Sequence, residues 1–199
     1  MLRNTMDKKH QRRQFLKQQY KEAAAREAAR QARREAEARE RRWQLIQGYL
    51  DRADAEQLHV YAASSHHDGN GRGLRYLADC PRMALGTAVM LFWLLGADWL
   101  TRLREEELLD DQRERLILLR LIERRAVAGF YQPDAIAFDP RTDCCAIPGE
   151  NESLGPPLHA IAPCMVEPVR GRLRVDLAEA ARRYDEGLAG DVALALRGL

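Results

Sequence analysis

Fifteen consecutive residues, Met83 to Ala97 (MALGTAVMLFWLLGA), carry no charge in a chain of which 31% of the residues are Asp, Glu, Lys or Arg. An apolar run of that length must be taken out of water. It falls short of the roughly 20 residues that a membrane-spanning helix needs. The remaining solution is a central helix buried on most sides, with Leu91, Phe92, Trp93 and Leu95 as core and Gly86 and Thr87 permitting close approach of a neighbour. Everything else in the chain must then supply amphipathic faces to cover it.

The flanking sequence offers such faces. Asp54 is placed to cap a short helix over Ala55 to Ala63, with Leu58, Tyr61 and Ala62 inward. SSHHDGNG, Ser64 to Gly71, reads as a loop on its turn chemistry. A second short helix follows over Arg72 to Asp79, with Leu74 and Leu77 on one face, and Pro81 ends that segment. Trp99, Leu103 and Leu108 carry the apolar rhythm into an acidic cluster. Gln112 to Ala128 is a clear amphipathic helix, with Leu116, Leu118, Leu119, Leu121, Ile122 and Ala126 at helical spacing and Gly129 as its stop. From Phe130 to Pro168 the texture changes: seven prolines break the chain into pieces with room for two or three short strands or ordered coil. Asp176 should cap a last helix from Leu177 to Asp185, and Gly187 to Leu199 forms a weaker one. The fold class is mainly α: a helical bundle around a buried central helix, with a long basic N-terminal helix and a Pro-rich C-terminal segment.

Charge divides the chain. Residues 1–50 hold 14 Lys and Arg against 6 Asp and Glu, a net of +8, whereas the remainder is at −6; the stated total of +2 hides this asymmetry. From Lys21 to Arg42 the chain is wholly Ala, Glu, Arg, Gln and Lys, all strong helix formers, and no Gly or Pro precedes Gly48. One helix over residues 7–52 would reach roughly 70 Å. Glu22–Arg26 and Glu35–Arg39 have the spacing of supporting ion pairs. Trp43, Ile46 and Leu50 are placed to dock its last turns. The organisation expected is a basic arm, 1–52, and a compact acidic domain, 53–199, with its core at 58–130, an irregular segment at 131–175 and a helix and tail at 176–199. The arm reads as a solvated helix or a coiled-coil strand, with nucleic-acid binding through residues 1–42 as the sharper alternative. Its lack of bulky apolar residues argues against a membrane surface.

No apolar stretch opens the chain as a secretory leader would, and Cys80, Cys144, Cys145 and Cys164 show no C-x-x-C spacing. A reducing, cytoplasmic setting with the cysteines as small buried hydrophobes is the expectation. The candidate chemistry is thin. His66-His67-Asp68 could join His59 or His159 around a metal, which would make a metal-dependent enzyme the second alternative, but adjacent histidines rarely chelate one ion together. DGNGRGLRYLAD, Asp68 to Asp79, echoes a calcium loop and fails it: Arg72 stands where a ligand is needed, Arg75 replaces an aliphatic residue, and Asp79 is shorter than the usual Glu. G-N-G-R-G follows a helix, where a dinucleotide fingerprint must follow a strand. No catalytic residue, metal site or cofactor is expected. The acidic cluster Glu105, Glu106, Glu107, Asp110 and Asp111 is the best candidate binding surface, set against the ordinary preference of acids for helix N-termini.

At Leu58-His59, Asp68-Gly69, Cys80, Gly86-Thr87-Ala88 and Phe92-Trp93, in that order and spacing, the chain resembles an uncharacterised bacterial family of small domains with the pattern LHxxA…DG…C…GTAxxxFW. A looser echo lies at Phe130-Tyr131 and Phe138-Asp139-Pro140. His66-His67 departs from the Asn-Trp-Asp-like context usual before that Asp-Gly. The resemblance implies no activity. It implies a small helical domain of a kind found near secreted bacterial toxins, hence a protein-interaction domain of immunity type with an acidic, preorganised face for a basic partner.

Overall fold

The structure is a computed structural model that describes residues 3–67, 70–143, 157–158 and 160–199, with side chains from residue 17 onward. The fold is mainly α. Among the described residues, helices run α1 (Arg3–Leu50), α2 (Ala55–Ser64), α3 (Gly71–Ala78), α4 (Leu85–Leu94), α5 (Ala97–Leu100), α6 (Asp110–Val127), α7 (Leu177–Arg183) and α8 (Gly190–Arg197). One antiparallel hairpin, β1 (Tyr184–Asp185) with β2 (Leu188–Ala189), separates the last two. Contacts divide the chain into two units, Met1–Leu45 with Leu199, and Ile46–Gly198.

The first unit is the helical arm. From Lys17 to Arg42 every side chain is exposed except Ala38, which is half-buried. With no buried side chain over that stretch, its helix draws on Ala, Glu, Arg and Gln propensity and on neighbours four residues apart. Gln18 donates to Glu22 at 3.0 Å, Gln31 to Glu35 at 2.8 Å, and Arg33 pairs with Glu37 at 2.8 Å.

The second unit is built on α4. Its residues Gly86 to Trp93 are all buried, and Leu91 and Phe92 have no exposed surface. α2 and α6 pack against it, α3 packs on α6, and the turn Pro163–Met165 covers one end. Polar links fasten these layers. Trp93 Nε1 donates to the Met165 carbonyl at 2.8 Å, and the Glu123 carboxylate accepts the Ala162 N–H at 2.7 Å. Arg82 donates to the Leu50 and Ala53 carbonyls at 2.9 and 2.8 Å, satisfying acceptors that the end of α1 leaves open.

Several boundaries differ from the sequence expectation. The apolar run does not form one helix over Met83 to Ala97. It stops at Leu94, because Gly96 adopts a left-handed φ of 90° and starts the separate turn α5. α3 begins at Gly71, one residue early, since the Asn70 side chain accepts the Gly73 N–H as an N-cap. α6 begins at Asp110 instead of Gln112, because Gln112 reaches back to the Leu109 N–H at 3.0 Å. α7 stops at Arg183, two residues short of Asp185, where the chain turns through Glu186 and Gly187, both at positive φ, into the hairpin. The final helix starts at Gly190. Asp54 and Gln57 cap α2 reciprocally, and Gly129 ends α6 with a left-handed φ of 69°, both as expected.

The Pro-rich segment forms isolated bridges, not strands, among its described residues: Ala84 with Gln132, Ile136 with Leu173 and Phe138 with Val169. Gly86 makes this possible. A Cβ there would lie 2.3 Å from the Ile136 carbonyl oxygen, so only glycine lets that strip lie directly on α4. No helix among the described residues is long and apolar enough to cross a membrane.

Candidate functional site

The residues singled out in the sequence fall into two groups with different environments. The residues that carry the resemblance lie in the core where they are described. Leu58, His59, Cys80, Thr87, Ala88, Phe92 and Trp93 are all buried, and Asp68 and Gly69 lie outside the described residues. Two members of the pattern touch: His59 Nδ1 lies 2.9 Å from Thr87 Oγ1, which joins α2 to α4 through the core. Phe138 stands edge-on to the imidazole, with ring centroids 6.4 Å apart. Burial pulls the His59 pKa down to about 4, against a weaker opposing pull from the Asp143 carboxylate. The ring is therefore neutral near pH 7 and serves as a hydrogen-bonding core residue.

That placement bears on the metal reading. His59, one of the partners it called on, has a ring nitrogen committed to Thr87 in the core. His66 is exposed, and His67 Nε2 sits 3.2 Å from the Ala62 carbonyl. Asp68 and His159 lie outside the described residues, as do Cys144 and Cys145. Among the described residues no three His, Cys, Asp or Glu side chains are grouped as metal ligands.

The acidic cluster occupies the surface of the second unit. Glu105–Glu107 form one 3₁₀ turn, and Asp110 and Asp111 open α6; all five are exposed. Not all of them are available. Glu107 folds back to accept the Arg104 N–H at 2.8 Å, and Arg113 and Arg115 stand 3.6 and 3.7 Å from Asp110 and Asp111. Leu109, between the two acidic runs, is 64% exposed, and Ile117, two turns into α6, is 62% exposed. They are two of several exposed large apolar side chains on the described surface, and these two lie beside the acidic run in sequence.

Sequence spacing did not place α6 beside the histidine loop, but the fold brings Asp111 to it. One cleft of about 440 Å³ has Leu74, Leu95 and Leu118 on its apolar walls and His67, Arg75, Asp111, Glu114 and Arg115 around them. It shares His67 and Arg115 with an adjoining groove of about 800 Å³ that Ser65, His66, Asn70, Tyr61 and Leu188 help to line. The loop wall is fixed by a small polar knot: Asn70 donates to the Tyr61 hydroxyl at 2.8 Å and to Ser65 Oγ at 3.1 Å, and Ser65 donates to the Tyr61 carbonyl at 2.6 Å. Glu114 and Arg115 were not among the sequence candidates. Their helical spacing from Asp111, at i+3 and i+4, was the available signal.

Set beside protein-family models, curated proteins and solved structures, the chain matches none.

Proposed function

We propose that this chain is a non-enzymatic protein-interaction domain that binds a basic protein partner through the edge running from Glu105 to Glu114. The observation that carries this reading is the composition of that edge. Glu105, Glu106, Asp110, Asp111 and Glu114 are exposed along the same stretch of chain as two exposed large apolar side chains, Leu109 and Ile117. Interfaces draw affinity from a few apolar anchors inside a polar rim, and complementary charge steers the encounter. The adjoining cleft, with its apolar floor and a lip of mixed charge from Arg75, Asp111, Glu114 and Arg115, would receive a side chain projecting from the partner. The more specific form of the proposal, in which the partner is a basic toxin and this chain neutralises it, extends the same charge complementarity.

The test is affinity capture with the intact chain and with Glu105→Lys/Glu106→Lys/Asp110→Lys. All three sites are exposed, so the variant should keep its thermal midpoint while losing its captured partner by at least tenfold. A second variant, Leu109→Ala, should weaken capture without altering its dependence on salt. An unchanged set of partners in the charge-reversed variant would show that this edge does not bind them.

A further inference from the structure

The arm carries an ordered cationic face that the proposal above leaves unused. At about 100° per residue, Arg26, Arg30, Arg33 and Arg41 fall within roughly a quarter of the helix circumference, with Arg34 at its margin. Along the axis they form a stripe of about 22 Å. The other side differs: Lys17, Lys21, Arg39 and Arg42 share a face but leave an interval of about 27 Å without a cation between Lys21 and Arg39. All nine of these side chains are exposed. The one acid centred on the Arg face is Glu37, which pairs with Arg33 at 2.8 Å and also lies in the field of Arg41. Exposed pairs of this kind are worth little and yield readily to a competing anion.

We infer that this arginine stripe is a docking face for the phosphate backbone of duplex DNA. Arginine presents a planar fork of donors suited to phosphate, and the described stretch of arm after Lys21 uses no other cation. A bare α-helix about 10–12 Å across matches a B-DNA major groove about 12 Å wide, whereas the deep, narrow major groove of duplex RNA excludes it. The other occupants of a long helix fit less well. A coiled-coil partner needs bulky apolar residues at heptad positions, and the stretch from Lys21 to Arg42 offers only alanine. A lipid surface needs the same residues.

The experiment is fluorescence anisotropy of a short DNA duplex titrated with the full chain. Four phosphate contacts predict binding that weakens by about 100-fold between roughly 50 and 200 mM salt. Arg26→Gln/Arg30→Gln/Arg33→Gln/Arg41→Gln should lose binding by at least tenfold and flatten the salt dependence, with little loss of helix because Gln and Arg have similar propensity. The matched variant Lys17→Gln/Lys21→Gln/Arg39→Gln/Arg42→Gln should lose far less. Glu37→Gln, which removes the competing carboxylate, should bind more tightly, and this arm of the test stands even if the quadruple variant loses helix. Equal losses in the two quadruple variants, tighter binding to an RNA duplex, or no duplex binding at all would overturn the inference. So would salt-sensitive self-association of the chain in sedimentation without duplex binding, which would make the stripe a contact for a second copy.

Discussion

The arm of α1 and the central helix α4 are both continuous helices, yet almost nothing that holds one holds the other. Between Lys17 and Arg42 the arm buries no side chain fully, and its residues are alanines and long charged chains that lose little rotamer freedom in a helix. In α4, Gly86 to Trp93 are all buried, and the segment includes Thr87 and Val89, which are poor helix formers, and Gly86, which is worse. The arm is helical because of its composition and its i,i+4 neighbours. α4 is helical because the backbone groups of a buried apolar segment must bond to one another. The arm can therefore tolerate many substitutions that would destroy α4, and only the arm is free to place a regular charge pattern in solvent.

The sharpest way to break this contrast is to remove atoms from α4. Phe92 is fully buried and stacks edge-on with Trp93, with ring centroids 5.4 Å apart. Phe92→Ala should cost about 3–5 kcal/mol, measured by urea unfolding, and should lower the midpoint of the second unit's transition while leaving the arm's helical signal in place. A loss below about 1 kcal/mol would mean that the core around α4 is loose enough to collapse into the space.

Both helices were legible in the sequence, for these opposite reasons: an uncharged run of fifteen residues and a run without Gly or Pro before Gly48. The capped starts at Asp54 and Asp176 and the stop at Gly129 were legible as well, because each depends on a side chain or a glycine at a fixed offset. What was not legible is what long-range contact decides. Gly96 looked like one small residue in an apolar helix and proved to be its left-handed end. The hairpin at 184–189 has only two residues per strand, too few for an alternating pattern, so α7 read as two residues longer. The meeting of His67 with Asp111 and Glu114 around one cleft joins α6 to a loop more than forty residues earlier. The acids themselves were visible at once, but the exposure of Leu109 and Ile117 beside them was not.

A smaller effect sharpens the same contrast through pH. His59 has a pKa near 4 in the folded protein because burial disfavours the imidazolium, against about 6.5 in the unfolded chain. The unfolded state therefore binds the proton more readily. The stability due to the neutral ring is complete above about pH 6.5, and it is lost as pH falls toward 4, to a total on the order of 3 kcal/mol. Urea unfolding across that range should show the loss, and His59→Asn, which cannot titrate there, should be flatter. Equal pH dependence in the two proteins would assign the acid sensitivity to other groups, such as Asp143, whose carboxylate is paired with Arg174 and acts on His59.

The smallest expected effect lies in the arm. Ala28, Ala29 and Ala32 are exposed and make no packing contribution, so Ala28→Gly/Ala29→Gly/Ala32→Gly removes only helix propensity, about 1 kcal/mol at each position. Spread along a solvated helix, that loss should fray the arm locally, and far-UV circular dichroism should fall by a measurable fraction. The cooperative unfolding midpoint of Ile46–Gly198 should stay within about 0.5 kcal/mol of wild type, the range of surface substitutions away from a core. A larger shift would show the two units unfolding as one, with the arm's helix drawing on the core that holds α4. An unmoved midpoint with reduced helicity would leave the distinction intact, with propensity sustaining one helix and burial the other.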